Sequence, residues 1–105
     1  MRVILAAKDD EAREWLAGVL GSGGYSVVVL VDASPDAPEL RGAELLIADP
    51  ESFKSLGDAG PKRRLLLSAR GGMVDMSLIN SFADVLAVPG NPEEVLARIR
   101  HVLDG

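Results

Sequence analysis

Five short, nearly continuous apolar runs punctuate the chain: Val3 to Ala7, Ser26 to Val31, Leu45 to Ala48, Arg64 to Ser68 and Val85 to Val88. Runs this short, with little polar alternation, read as strands buried on both faces, the pattern of a parallel sheet. Between the first two, Ala12, Trp15, Leu16, Val19 and Leu20 recur at helical spacing within Glu11 to Leu20 and predict one apolar helix face. Gly21-Ser22-Gly23-Gly24 ends that helix, because glycine reaches the left-handed backbone that helix ends and tight turns use.

At the other end, Asn91-Pro92-Glu93-Glu94 supplies an N-cap, a proline for the first helical position and a glutamate at N3. Val95, Leu96, Ile99, Val102 and Leu103 follow on one face, so a final helix is expected. Val74, Leu78 and Phe82, flanked by Met76 and Ile79, predict another helix before the fifth strand. The connections after strands two and three are poorer: Ala33-Ser34-Pro35-Asp36-Ala37-Pro38 interrupts any helix before Glu39, and Glu51 to Leu56 has room for a turn or two before Gly57 and Gly60. Helices two and three should be short. Strands alternating with helices imply right-handed crossovers and an open α/β sheet covered on both faces.

Length sets the scale of this fold. At 105 residues, 48% hydrophobic and 26% charged, the chain reads as a single globular domain over 1–105, not as disordered or fibrous sequence. With 16 acidic and 11 basic residues the net charge is −5, which disfavours nucleic acid and anionic membrane as partners. There is no cysteine and one histidine, His101, so thiolate and multi-histidine metal centres are excluded; His101 is expected to face solvent. The apolar run Val3 to Ala7 is too short for a signal-peptide core or a membrane span, which makes the cytoplasm the expected location.

In such sheets the reactive site lies beyond the carboxyl ends of the strands, where strand order reverses. The residues there are Lys8, Asp9, Asp10 and Glu11 after strand one, Asp49 after strand three, Ser68, Ala69 and Arg70 after strand four, and Pro89 and Gly90 after strand five. With these in place the chain resembles the receiver domain of two-component response regulators, a flavodoxin-like fold, over nearly its whole length. Arg2 to Tyr25 matches the receiver opening of strand, acidic turn and helix. Glu44-Leu45-Leu46-Ile47-Ala48-Asp49 matches the strand that ends in the phosphoacceptor aspartate, and Val88 to Ile99 matches the last strand end and helix.

The resemblance implies a five-stranded parallel sheet in the order 2-1-3-4-5 and assigns roles by position. Asp49 is the phosphoacceptor equivalent and Ser68 the hydroxyl that contacts phosphoryl oxygens. The two acids that hold Mg²⁺ in the family fall on Ala7 and Lys8, its lysine falls on Val88 before Pro89, and its aromatic reporter falls on Val85. The pocket of Ala7, Lys8, Asp9, Ser68, Val88 and Pro89 is thus degenerate, and Ser68 and Val85 are the switch equivalents. This implies a pseudo-receiver: no enzyme and no cofactor, acting by phosphorylation-independent contact with protein partners. The family's dimerising face, formed by its fourth helix, fifth strand and last helix, would serve for a partner or a homodimer, with an output domain in a longer chain.

One alternative is a working phosphoacceptor phosphorylated on Asp49 by a histidine kinase, using Mg²⁺ at a shifted site of Asp9 and Asp49; another is a small-ligand sensor. Further expectations concern single residues. The Lys8 side chain has two placements open to it: it reaches into solvent, or its ammonium sits roughly where the metal would be and pairs with Asp49. Val88-Pro89 is expected to be cis, Gly71-Gly72 a permissive turn, Trp15 core, and Lys62-Arg63-Arg64 a solvated turn.

Overall fold

The computed structural model describes residues 2–69, 84–88 and 90–104. Its elements in chain order are strand β1 (Arg2–Ala6), helix α1 (Asp10–Ser22), strand β2 (Ser26–Val29), a 3₁₀ turn (Pro38–Leu40), strand β3 (Leu45–Ala48), helix α2 (Pro50–Leu56), strand β4 (Arg64–Ala69), strand β5 (Asp84–Val88) and helix α3 (Pro92–Asp104). All neighbouring strands are parallel, in the order β2-β1-β3-β4-β5. The expected topology is therefore observed. The expected helix around Val74 to Phe82, the Gly71-Gly72 turn and the Val88-Pro89 peptide lie outside the described residues.

Period-two alternation divides the strand residues between two cores. Val3, Leu5, Leu45, Ile47, Leu65, Leu67 and Leu86 face α1 and α3, whereas Ile4, Ala6, Leu46 and Ala48 face Leu30, Leu40, Phe53 and Leu56. On the first face α1 contributes Leu16 and Leu20, and α3 contributes Val95 and Ile99, all buried. Each such side chain contributes about 1.5–3 kcal/mol by leaving water. Trp15 packs partly buried against this core, and His101 is exposed, as expected.

The helix ends follow from local sequence. Asn91 Oδ1 accepts from the Glu93 amide at 2.9 Å, with Pro92 leading the helix. At the end of α1, Gly23 lies close to α3: a Cβ there would come within 2.6 Å of a terminal methyl of Leu96, which would have to move aside. The second face is thinner. The 3₁₀ turn and the seven-residue α2 confirm that helices two and three are short. One expectation fails here: the run Ser26 to Val31 is not a strand buried on both faces. β2 is an edge strand of four residues, partly exposed along its length, because no full helix follows it.

The turn before β4 is also not a solvated charge run throughout. Lys62 and Arg63 are exposed, but Arg64 is 8% exposed and turns inward. Its Nη1 donates to the Gly57 carbonyl at 2.7 Å, Nη2 to Ala59 at 2.9 Å and Nε to Pro61 at 3.1 Å. The guanidinium lies 5.2 Å from the Phe53 ring centroid. One side chain thereby closes the shortened path from α2 to β4, replacing helical hydrogen bonds with a three-carbonyl clasp.

Candidate functional site

Strand order reverses between β1 and β3, and the backbone links these two strands at their carboxyl ends. Ala6 is in register with Ala48, and the Asp49 amide donates to the Ala6 carbonyl at 3.1 Å. Residues 7–9 and Asp49 consequently leave the sheet side by side. Asp49 precedes Pro50 at the first position of α2, an N-cap arrangement, and it behaves as one. Its Oδ1 accepts from the Ser52 amide at 2.7 Å, while Oδ2 accepts from the Lys8 amide at 2.6 Å.

Of the two placements open to Lys8, the structure shows the solvent-facing one, and the ion pair with Asp49 does not form. Backbone amides occupy both Asp49 oxygens, and it is the main chain of Lys8, not its ammonium, that reaches Asp49. The side chain runs outward, 62% exposed, with Nζ 3.9 Å from Glu51 Oε2. An exposed pair of this kind contributes roughly 0–1 kcal/mol. Lys8→Ala is expected to shift the urea midpoint by no more than the equivalent of about 0.5 kcal/mol; a loss several times larger would restore Lys8 as a structural ion.

The other charges of the acidic turn are engaged locally. Asp9 caps α1, with Oδ1 accepting from the Ala12 amide at 3.0 Å. Asp10 is paired with Arg13, whose Nη1 donates to the Ala7 carbonyl at 2.9 Å. Ala7 and Val88 are 5% and 1% exposed and contribute only apolar surface. Ser68 lies half-buried on β4 in register with Ala87, one strand beyond Asp49; Val85 lies half-buried on β5 opposite Leu66. Pro89 is outside the described residues.

A divalent cation of the Mg²⁺ type takes oxygen ligands in near-octahedral geometry. Here the Ala7 carbonyl accepts from Arg13, the Asp9 carboxylate caps a helix, and Lys8 offers an ammonium. Among the described residues, no group of three or more carboxylate or imidazole side chains assembles. This donor set does not fit Mg²⁺. Arg13, Ser52 and Arg64 complete the site and its support; sequence reasoning passed over Arg13 and Ser52 and took Arg64 for part of a solvated turn. Only Arg13 left a signal, as the partner three residues after Asp10.

No protein-family model and no curated protein sequence matches the chain. Solved structures do. The chain is similar to the BeF3-activated N-terminal receiver domain of RstA from Klebsiella pneumoniae, with 21% identity, 100% of each chain covered and a TM-score of 0.72. It is similar to a response regulator from Thermotoga maritima, with 18% identity, coverage of 99% and 98%, and a TM-score of 0.73. A third is the receiver domain of a sensor histidine kinase from Pseudomonas aeruginosa, which has magnesium coordinated in its active-site cleft; identity is 16%, coverage 99% and 98%, and the TM-score 0.75. Against NtrX from Brucella abortus in complex with ADP, at 14% identity and a TM-score of 0.74, the chain is covered over 98% but spans only 26% of NtrX. The chain has the fold of response-regulator receiver domains.

Proposed function

We propose that this chain is a single receiver-like domain that signals by protein–protein contact without accepting a phosphoryl group. The observation that supports it best is the double engagement of Asp49, one oxygen capping α2 and the other tying the Lys8 amide. Phosphoryl transfer depends on positioning and on cations that neutralise the transferred group. The position of the family's cationic lysine holds Val88, and the acidic turn is committed to Ala12 and Arg13. An aspartate held this way fixes one conformation of the loop ends instead of switching between two.

The face proposed for a protein partner or a homodimer includes β5 and α3. A cleft of about 120 Å³ lies between them, with Val85 and Ala87 on one side and Glu94 and Arg98, 3.2 Å apart, on the other. The fit to one quarter of NtrX is consistent with an output domain in a longer chain. Among the described residues no helix is long and apolar enough to cross a membrane, and the cytoplasm remains the proposed location.

Incubation with acetyl phosphate and Mg²⁺, followed by intact mass, tests the reading. No added mass is expected on either the wild-type chain or Asp49→Asn. One phosphoryl group on the wild type, absent from Asp49→Asn, would overturn it in favour of a working phosphoacceptor.

A further inference from the structure

β2 forms one margin of the sheet, and among the described residues no strand pairs with its outer side. The Leu30 amide donates to the Leu5 carbonyl at 2.9 Å, and Leu5 is in register with Val29. In a parallel pair only alternate residues turn their backbone to a given neighbour. Ser26, Val28 and Leu30 therefore face β1, and Val27 and Val29 direct their amides and carbonyls away from the sheet. Among the described residues, the exposed large apolar side chains are Val29, at 39%, and Val31, at 86%, both on this margin.

Natural sheets protect such an edge with lysine, proline, a bulge or a covering helix. Ser26 to Val31 contains no charge and no proline, and the connection that follows reduces to the 3₁₀ turn Pro38–Leu40. We infer that the β2 edge is a docking surface for a second copy of this chain, pairing antiparallel to form one continuous ten-stranded sheet across a two-fold axis.

The edge is complementary to itself. In the register centred on Val28, Val27 of one copy lies opposite Val29 of the other, both with outward backbone groups, so each closes hydrogen bonds with its counterpart. The paired segment Ser26–Val29 carries no charge, so no like charges meet within it. An unrelated strand would have to match this short uncharged pattern, whereas a second copy presents it by construction. The surface is distinct from the β5–α3 face and serves whether or not Asp49 takes a phosphoryl group.

The contact is small, which places it among weak, concentration-dependent interfaces. Both copies carry −5, so added salt strengthens the dimer by screening their repulsion. Sedimentation velocity from micromolar to millimolar protein should show a monomer–dimer equilibrium that shifts toward dimer with salt. Val29→Lys should abolish the dimer. Val29→Pro should do the same while retaining the circular dichroism of the fold, since the amide it removes points away from β1. Arg98→Glu, on the β5–α3 face, should leave the dimer intact. A monomer at every concentration, a dimer that persists in Val29→Lys, or one lost in Arg98→Glu would each overturn the inference. None of these outcomes bears on the acetyl phosphate result.

Discussion

Replacing Arg64 by alanine is expected to lower stability by about 3 kcal/mol, a large share of the ~5–15 kcal/mol that holds a small domain folded. Three carbonyls, those of Gly57, Ala59 and Pro61, lose their donor at once, and Phe53 loses the cation above its ring. Each hydrogen bond to a charged group contributes about 1.5–3 kcal/mol, but water reaches part of the loop, so the full sum is not lost. For a domain of this size the change corresponds to a fall in Tm of roughly 12–24 °C. Arg64→Lys should recover little. A lysine keeps the charge, but its compact ammonium cannot reproduce the planar fork that meets three carbonyls together. Urea denaturation of both variants is the measurement; a loss below about 0.5 kcal/mol in Arg64→Ala would remove the clasp from the account.

The clasp matters to the site because of what it joins. α2 begins at Asp49 and ends at Leu56, and β4 begins at Arg64 and carries Ser68 near its end. Gly57, at φ 59°, turns its carbonyl back to the guanidinium, so the far end of α2 and the start of β4 are held by one group. This tie sets the spacing between the aspartate and the serine across a connection whose helix is the seven-residue α2.

The pattern of the sequence carried the architecture because hydrophobic burial is periodic. β3 coincides with its apolar run, and the other strands differ by small end shifts, as where Arg2 extends β1 at its start and Ala69 extends β4 at its end. β2 was legible as a strand but not as an edge. Ser26 to Val31 reads the same whether a helix covers it or not, and exposure depends on whether the connection after it forms a helix or, as here, only a 3₁₀ turn. The site was legible in position and misread in detail. Asp49 was located by its place after the third apolar run, but its binding by the Lys8 and Ser52 amides is main-chain geometry that no side-chain pattern announces. Charge alone left the Lys8 side chain open between solvent and an ion pair with Asp49, and two amides at hydrogen-bond distance outcompete an ammonium on a flexible, solvated stem. Arg64 was read as one of three solvated charges because its partners are carbonyls, which every residue has.

Asp49 itself provides the second large effect, and it separates a structural aspartate from a reactive one. Asp49→Ala removes both an N-cap and the tie to Lys8, and is expected to cost about 2 kcal/mol, the cap alone being worth about 1 kcal/mol. Asp49→Asn should cost about half as much. Asparagine is an equally good N-cap, so its carbonyl keeps the Ser52 amide, but its NH₂ group then faces the Lys8 amide, donor against donor. Amide hydrogen exchange resolves the two contributions: in Asp49→Ala both Ser52 and Lys8 should exchange faster, and in Asp49→Asn only Lys8 should. A carboxylate kept free for chemistry would behave differently, since deleting it would leave both amides unchanged and cost nothing. Equal stability of the wild type and Asp49→Ala would therefore show that Asp49 does not hold the loop ends together, and would remove the principal support for a receiver-like domain fixed in one state.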